Sequence, residues 1–476
     1  MTPIARNLLF VLALFSISPL IAQIVPCNGG FAGSFPCNGY DLLSNLPKST
    51  LSNEDGSDIW GWTDTTTNKE YALITFEDKT CFVDVTDPVN PLYLGELPSN
   101  AGSNFWRDIK VYNNHAYIVA DNVGSHGMQV FDLTRLRNVS NPPQIFSADN
   151  VLTDVGSCHN IAINEATGFA YLVGCNTFSG GPHFVDLSDP ANPVSAGGYA
   201  ADGYTHDAQI VIYNGPDIEH VGKEIMIASN ENEIVILDVS NKTAVVKLSA
   251  ISYTDVGYTH QGWLSDDHRY FYLGDETDEI DFGFNTRGLV FDFANLDSPS
   301  FLSSFTGNSN AIDHNYYTKG NKLYQASYTA GLRILDISNP SNVTEIGFFD
   351  THPESNNTTF FGAWSVYPYF ASGNIIISDI DRGLFVIKES GTTLNTQESR
   401  AFDFMMYPNP ATENTMIRAG ENMLINKVEV FDILGKKVLE HTNINEILFQ
   451  LHVTKLPSGM YVVKINEATS QKLIVN

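Results

Sequence analysis

The chain repeats one pattern of apolar and polar residues: a short apolar strand that ends in Asp, a polar turn, and a second apolar run. The clearest copy runs from Gly331 to Phe349 and reads GLRILDISNPSNVTEIGFF. The strand-ending residues lie 44 to 54 positions apart and are Asp84, Asp132, Asp186, Asp238, Asp292 and Asp336. A seventh copy carries Lys388 instead. The Asp precedes a turn, where a carboxylate can accept backbone N–H bonds, so its predicted role is structural.

Self-similarity at this period, with several short strands in each copy, is typical of a β-propeller. One blade cannot bury both faces of its sheet, so blades stack until a ring closes. The sequence therefore predicts an all-β chain with a seven-bladed β-propeller over residues 52–389. In blade two, residues 144–147 are predicted to form the outer strand. Residues 23–51 hold a Cys loop and an apolar run that we expect to supply the closing strand of blade seven.

Beyond the propeller the pattern changes. Residues 390–401 have little apolar content and are predicted to form a linker. Residues 402–476 alternate apolar and polar positions in several short strands, which predicts a small Ig-like β-sandwich.

Residues 1–22 have the pattern of a signal peptide, with Arg6 ahead of an apolar run over residues 8–21. No later stretch reaches the roughly 18 uninterrupted apolar residues that a membrane span needs. We therefore expect an exported protein without a transmembrane segment.

The charge balance is acidic: 54 Asp plus Glu face 26 Lys plus Arg, a net charge of −28. This excludes nucleic acid as an expected partner, because nucleic acid requires a basic face. Acidity favours solubility outside the cell, with cation binding as the alternative.

Five cysteines fit an oxidising compartment. Cys27 and Cys37 bracket a Gly-rich loop, and Cys158 and Cys175 lie opposite each other across a predicted hairpin, so two disulfides are expected. The fifth, Cys81, lies in an apolar strand and is expected to be a buried small hydrophobe.

One position stands out when the seven inner strands are aligned. It is occupied in turn by Trp60, Arg107, His159, His206, His260, His314 and Trp364. The residues that follow it are Gly61, Asp108, Asn160, Asp207, Gln261, Asn315 and Ser365. Equivalent inner-strand positions surround the propeller axis, so this set predicts a funnel with four imidazoles in consecutive blades.

Three interpretations of the histidines remain open. Neutral imidazole is the commonest side-chain metal ligand, and Asn160, Asp207 or Asn315 could orient the rings. Alternatively, each histidine hydrogen-bonds the next blade and ties the sheets together. A third possibility is a ligand site without metal.

The loop before the Asp-ended strand of blade five is expected at the same mouth. It holds Asp275, Glu276, Asp278, Glu279 and Asp281. Such carboxylates predict calcium as a ligand, with Asp275, Glu276, Asp278 and Asp281 as named candidates, against the alternative of a solvated acidic loop. Asp379, Asp381 and Arg382 of blade seven and His126 of blade two are placed at the mouth by the same reasoning.

Several catalytic signatures are missing from the sequence. It has no G-x-S-x-G elbow, no Walker loop, no H-E-x-x-H and no Cys pair with zinc spacing.

The tail carries YPNP over residues 407–410, GK at 435–436, GMY at 459–461 and KLIV at 472–475. These four motifs closely resemble the C-terminal sorting domain of type IX secretion. The resemblance implies type IX machinery as a partner and passage across the outer membrane. It also implies removal of the tail and attachment to the cell surface or release.

The repeat resembles the LVIVD repeat of secreted bacterial proteins. The whole propeller region, with WGWTD, FWRDIKV, YTHDAQ, YTHQGW and GAWSVYP, resembles the choice-of-anchor B family. That resemblance implies the propeller and a variable anchor, and no established reaction. We expect an extracellular ligand-binding or interaction module at the funnel. The alternative is a metal-dependent hydrolase, lyase or oxygenase that uses the four histidines, with a transition metal or calcium as cofactor.

Overall fold

The computed structural model describes residues 24–391, 405–419, 424–432, 435–466 and 469–476. The predicted signal peptide and residues 392–401 of the predicted linker lie outside the described residues. The chain divides into two compact units, Met1–Ser390 and Gly391–Asn476.

The first unit is a seven-bladed β-propeller built from antiparallel sheets of four principal strands. The inner strands are Gly56–Asp64, Arg107–Tyr112, Asn160–Asn164, Asp207–Ile212, Thr259–Leu264, Tyr316–Lys319 and Ala363–Tyr367. The second strands are Lys69–Phe76, His115–Ala120, Phe169–Val173, Glu224–Ser229, Tyr270–Asp275, Lys322–Ala326 and Asn374–Asp379. The third strands are Lys79–Asp84, Met128–Asp132, His183–Asp186, Ile234–Asp238, Arg287–Asp292, Leu332–Asp336 and Gly383–Glu389. The outer strands are Leu92–Pro98, Asn150–Leu152, Val194–Gly198, Val246–Ile251, Ser300–Thr306, Thr344–Phe349 and, from the N-terminal side, Tyr40–Leu46.

The ring closes through blade seven. Its outer strand, Tyr40–Leu46, pairs antiparallel with Gly383–Glu389, so both ends of the unit share one sheet. Just before it, Phe31–Ala32 and Phe35–Asn38 pair with each other, and Phe35–Asn38 also extends the edge of blade six. The Cys27–Cys37 disulfide fixes this segment.

Blade two ends differently from the expectation. Residues 144–147 do not close it: Gln144–Ile145 pairs parallel with the outer strand of blade one, and Asn150–Leu152 is the outer strand of blade two. The approach depends on Gly95, where a Cβ atom would meet the backbone oxygen of Gln144 at 2.1 Å. The absence of a side chain at Gly95 therefore leaves room for Gln144–Ile145 to pair with the neighbouring blade.

The repeat aspartates have the structural role predicted for them. Each accepts a hydrogen bond from the backbone N–H two residues later, at 2.8 to 3.1 Å. The carboxylate therefore fixes the turn into the outer strand in six blades.

Neighbouring blades bury their apolar faces against each other. Between blades one and two, Phe82 stacks on Phe131 with ring centroids 4.6 Å apart, and Leu73 and Ile109 join the same buried cluster. Cys158 and Cys175 form the second disulfide across the blade-three hairpin. Cys81 is free and buried, and burial raises the pKa of its thiol to about 12.

Helices are few in the described residues. The α-helices are Lys48–Leu51 and Asp278–Phe282, and the 3₁₀ helices are Leu133–Asn138 and Phe178–Gly180. Within the described ranges, no helix combines the length and apolar content needed to cross a membrane.

The second unit is a small β-sandwich of two sheets. One contains Met405–Tyr407, Asn414–Arg418 and Leu448–His452, and the other contains Lys437–Glu446, Ile425–Asp432, Gly459–Ile465 and Thr469–Val475. Ile417 and Leu451 of the first sheet share a buried cluster with Val430 and Val463 of the second. The alternating pattern of the tail is therefore explained by one face packed and one face exposed.

Candidate functional site

Three histidines bind the backbone of the next blade. The Nδ1 atom of His206 lies 3.0 Å from the carbonyl oxygen of His260, and His260 Nδ1 lies 3.1 Å from that of His314. His314 Nδ1 lies 2.6 Å from the carbonyl oxygen of Trp364. Successive rings, from His159 through His314, are 4.3 Å apart between centroids. The histidines thus form a continuous row and tie four blades together.

These bonds fix the tautomer of each ring. A carbonyl oxygen only accepts, so Nδ1 carries the proton and Nε2 of the neutral ring is an acceptor. Burial lowers the pKa of His260 and of His314 to about 3, and lowers that of His206 well below its usual value. All three rings are therefore neutral at physiological pH.

A carboxylate faces two of these acceptor nitrogens. The oxygens of Glu276 lie 3.6 Å from His260 Nε2 and 3.6 Å from His314 Nε2. The Tyr328 hydroxyl donates to Glu276 Oε1 at 2.7 Å and orients the carboxylate. One ligand atom from each of Glu276, His260 and His314 lies within 4.8 Å of the others. We call this group the axial triad.

His159 differs from the other three histidines. It is half-buried, and its Nδ1 lies 3.1 Å from Asp121 Oδ2 rather than at a backbone carbonyl. The axial triad contains neither His159 nor His206. A metal site made by all four histidines stays a prediction.

A cavity of about 20 Å³ lies beside the histidine row, large enough for about one water molecule. Its lining residues are Asp58, Asp108, Lys110, His159, Asn160, His206, Asp207, His260, His314, Asn315, Tyr317 and Trp364. The polar wall is therefore contributed by inner-strand residues of several blades.

A buried lysine joins two carboxylates in this wall. Lys110 Nζ lies 3.0 Å from Asp58 Oδ2 and also contacts Asp108. Although burial opposes ionisation, the Lys110 charge holds the pKa of Asp108 below its usual value. Burial and the charge of Asp108 raise the pKa of Asp58. Sequence reasoning missed Asp58 and Lys110, although a lysine within the apolar strand RDIKV is a signal for a buried ion pair.

The alignment of blade one is corrected by the hydrogen bonds. Asp108 accepts from the N–H of Ile161 in the next blade, and Asp58 makes the corresponding contact with the N–H of Ile109. Asp58, not Gly61, is therefore the counterpart of Asp108. Trp60 lies two residues further along the strand, 4.7 Å beneath Lys110 Nζ, and lines a separate cavity of about 150 Å³.

Arg107 does not line the histidine cavity. Its side chain is buried, with Nη1 donating to Ser99 Oγ at 2.8 Å and Nη2 lying 3.2 Å from His126 Nε2. Burial lowers the pKa of Arg107 to about 10 and that of His126 to about 4. Both residues predicted at the mouth are thus buried partners of each other.

The remaining predicted residues have separate roles. Gln261 bonds both the N–H and the carbonyl of Tyr316 in blade six. Asn160 donates to the carboxylate of Asp207 at 3.2 Å. The ring of Trp364 lies 4.6 Å from that of His314, between centroids.

The acidic side chains in the blade-five loop bind different partners. Asp275 accepts from the backbone N–H groups of Gly257 and Tyr258 and from the Tyr253 hydroxyl. Asp281 is exposed and accepts from Thr277. Glu276 belongs to the axial triad. The four residues named for calcium therefore do not form one group of mutually close ligands.

Blade seven contributes a buried carboxyl group. Asp379 Oδ1 accepts from the N–H groups of Asp381 and Arg382, while Oδ2 has no donor in hydrogen-bond geometry. Burial raises the pKa of Asp379 to about 7.

Exposed aromatic side chains surround the buried ones. Phe105 is 38% exposed and lies 5.9 Å from Trp364, and Trp106 is 36% exposed and lies 6.3 Å from His159, between ring centroids. Phe360 is 48% exposed and lies 5.4 Å from Tyr328. These three residues form an aromatic rim beside the histidine row.

Comparison with known families identifies the tail. Residues 405–476 match the family described as "Secretion system C-terminal sorting domain". The tail is therefore similar to the sorting domains of this family. It indicates export by type IX secretion and a location at the cell surface or outside the cell.

Two segments of the propeller, residues 217–250 and 317–351, match the "LVIVD repeat". They fall in blades four and six. No curated protein matches the chain.

Two solved structures show low similarity. A functionally unknown protein from Desulfotomaculum acetoxidans DSM 771 is 16% identical, with 62% of this chain and 86% of that chain covered and a TM-score of 0.44. A protein from Lactobacillus plantarum is 12% identical, with 84% and 99% covered and a TM-score of 0.45.

Proposed function

We propose that the propeller is an extracellular binding module whose axial triad holds a divalent transition-metal ion, with a ligand bound above it. The observation that carries the proposal is the meeting of three acceptors. Two neutral imidazole nitrogens face one carboxylate at 3.6 Å, and their Nδ1 protons are committed to backbone carbonyls. A cation between them would turn mutual repulsion into three bonds.

The ligand set favours zinc or a similar ion. Two imidazoles and a carboxylate are ligands that Zn²⁺ takes in sites with one open position. In a tetrahedral site with bonds of about 2.0–2.2 Å, neighbouring ligand atoms are about 3.3–3.5 Å apart. His260 Nε2 lies 3.6 Å from Oε2 of Glu276, His314 Nε2 lies 3.6 Å from Oε1, and one ligand atom from each residue lies within 4.8 Å of the others, so the three side chains would move inward around the ion.

The open position and the aromatic rim define the ligand that fits. Phe105, Trp106 and Phe360 offer exposed ring faces, and the metal would bind a donor atom such as a carboxylate oxygen. We therefore expect a small ligand with a metal-binding group and a flat apolar part. We also propose that residues 1–22 are a signal peptide and that the tail is removed after export. The propeller would then be a member of the choice-of-anchor B family.

The test is Zn²⁺ binding by the purified full chain, measured by isothermal titration calorimetry. The variant Glu276→Gln removes a carboxylate ligand, leaves the bonds from the histidines to the backbone of the next blade in place, and keeps an amide oxygen that can accept from Tyr328. His314→Asn places an amide nitrogen near Nδ1 and removes Nε2. We expect one equivalent of Zn²⁺ in the wild type and an affinity at least about 100-fold lower in both variants.

Matched controls are Glu54→Gln and His115→Asn, which alter a glutamate and a histidine outside the axial triad. Both should bind Zn²⁺ like the wild type. Absence of Zn²⁺ binding in the wild type, or equal binding in Glu276→Gln, would contradict the proposal.

A metal-dependent enzyme is the second candidate, supported by His206. Its ring lies 4.3 Å from that of His260, and it is neutral with Nε2 as an acceptor. A neutral imidazole beside a metal-bound water could act as a general base. Hydrolysis of ester or amide substrates by the Zn²⁺-loaded wild type, lost in Glu276→Gln and reduced in His206→Asn, would favour this candidate.

A further inference from the structure

Three acidic side chains meet in the interior between blades five and six. Asp278 and Glu279 lie in the blade-five loop, and Asp313 comes from the segment that enters blade six, directly before His314. One oxygen from each lies within 4.8 Å of the others. Asp278 and Asp313 are 0% exposed and Glu279 is 3% exposed. We call them the carboxylate triad.

The surroundings supply too few donors for these groups. Arg287 Nε donates to Asp278 Oδ2 at 2.6 Å, and the Tyr316 hydroxyl lies beside Asp313. Asp278 Oδ1, both oxygens of Glu279 and both oxygens of Asp313 have no partner in hydrogen-bond geometry. Three carboxyl groups therefore meet a single guanidinium away from water.

Such an arrangement requires either bound protons or a cation. Five of the six carboxylate oxygens are buried without a partner in hydrogen-bond geometry, and one oxygen from each residue lies within 4.8 Å of the others, so the ionised side chains would repel one another. A divalent cation among these oxygens would, with Arg287, balance three negative charges.

The ligand atoms identify the class of ion. All of them are oxygens, which are preferred by hard cations, and no imidazole or thiolate belongs to this group. The free oxygen pairs of Glu279 and Asp313 suit bidentate binding, which Ca²⁺ accepts. Mg²⁺ instead keeps several waters and strict octahedral geometry.

We propose that the carboxylate triad is a structural Ca²⁺ site that joins the blade-five loop to the entry of blade six. This site shares no ligand with the axial triad, and the inference does not depend on the proposed function. Its position has a consequence for that function, because Glu276 lies two residues before Asp278, and His314 follows Asp313. A bound Ca²⁺ would hold both elements that carry the axial triad.

The experiment uses the purified full chain after treatment with EGTA. Ca²⁺ binding is measured by equilibrium dialysis at pH 7.5, and the melting temperature is measured with Ca²⁺ or with EGTA. The wild type should bind one Ca²⁺ and gain about 3–8 °C. Glu279→Gln and Asp313→Asn should lose both effects.

The matched control is Asp281→Asn, since Asp281 belongs to the same short helix but is exposed. It should bind Ca²⁺ and melt like the wild type. Equal wild-type melting temperatures in Ca²⁺ and EGTA, with no bound Ca²⁺, would overturn the proposal even if a variant fails to fold. Equal Ca²⁺ binding in the wild type and both triad variants would overturn it too. An equal shift with Mg²⁺ at the same concentration would overturn the choice of ion.

Discussion

His260 binds the backbone of His314 through one ring nitrogen and turns its other ring nitrogen toward Glu276. The Nδ1 atom of His260 donates to the carbonyl oxygen of His314 at 3.1 Å, whereas the two Nε2 atoms both face Glu276. The same imidazole therefore ties two blades together and presents a lone pair to the axial site. The structural and ligand-binding interpretations of the histidine row are compatible, because they use different nitrogens.

The tie between blades predicts a stability effect at His206, which lies outside the axial triad. His206→Ala removes the donor to the His260 carbonyl and should lower the free energy of unfolding by about 1–3 kcal/mol. His206→Asn keeps a donor near the Nδ1 position and should recover about 1 kcal/mol of that loss. Urea unfolding monitored by tryptophan fluorescence measures both values. Equal losses in the two variants would show that packing, not the hydrogen bond, stabilises this position.

A larger effect is expected at Lys110. Lys110→Met leaves Asp58 and Asp108 buried without their cation, which should cost about 3–5 kcal/mol in unfolding free energy. Lys322→Met is the control, because the ion pair of Lys322 with Glu389 is partly exposed, with the two side chains 26% and 48% exposed, and its loss should change stability by less than about 1 kcal/mol. A Lys110→Met protein as stable as the control would contradict the assignment of a buried ion cluster.

The buried carboxyl group of Asp379 should make the free energy of unfolding depend on pH. The pKa of Asp379 rises from 3.8 to about 7 on folding, because the group is buried, so the folded state keeps a proton that the unfolded state releases. The stability due to this proton is fully present below pH 4 and is lost as the pH rises through 7.

Asp379→Asn should therefore match the wild type near pH 4 and exceed it by about 2–4 kcal/mol at pH 8. The new amide would face the Thr351 hydroxyl, which has no partner in hydrogen-bond geometry. Denaturant unfolding between pH 4 and pH 8 measures the difference. A constant difference across this range would contradict the raised pKa.

Removal of the C-terminal tail should stop export of the protein in the periplasm. A chain that ends at Ser390 keeps the first compact unit and lacks the second. It should fold with its two disulfides but remain in the periplasm of a host that has type IX secretion. Cell fractionation, with a tail from another type IX substrate fused as the control, measures this. Surface display of the truncated chain would contradict the role of the tail.

Local chemistry made much of the fold predictable. The repeat Asp accepts a bond two residues away, and Cys158 and Cys175 lie across one hairpin, so both features depend on short segments. The position of Trp60 was not predictable, because a β-bulge between Gly56 and Ile59 shifts the register of blade one. An inserted residue of this kind leaves no mark in the spacing of the repeats.

The site itself depends on contacts between blades, which the sequence does not specify. The row of histidines follows from repeat alignment, but its connection to Glu276 requires the distance between loops of different blades. The proximity of Asp313 to Glu279 could not be predicted either, because the two residues are 34 positions apart and come together only when blades five and six pack. Arg107 fits the alignment and yet turns toward His126.

The most direct test of the axial triad is an anomalous difference map from crystals of the Zn²⁺-loaded full chain, collected on both sides of the zinc absorption edge. One peak is expected within about 2.0–2.2 Å of His260 Nε2, His314 Nε2 and a Glu276 oxygen. The peak should be absent from Glu276→Gln crystals prepared in the same way. No peak at this position in the wild type, or a peak only elsewhere in the propeller, would contradict metal binding by the axial triad.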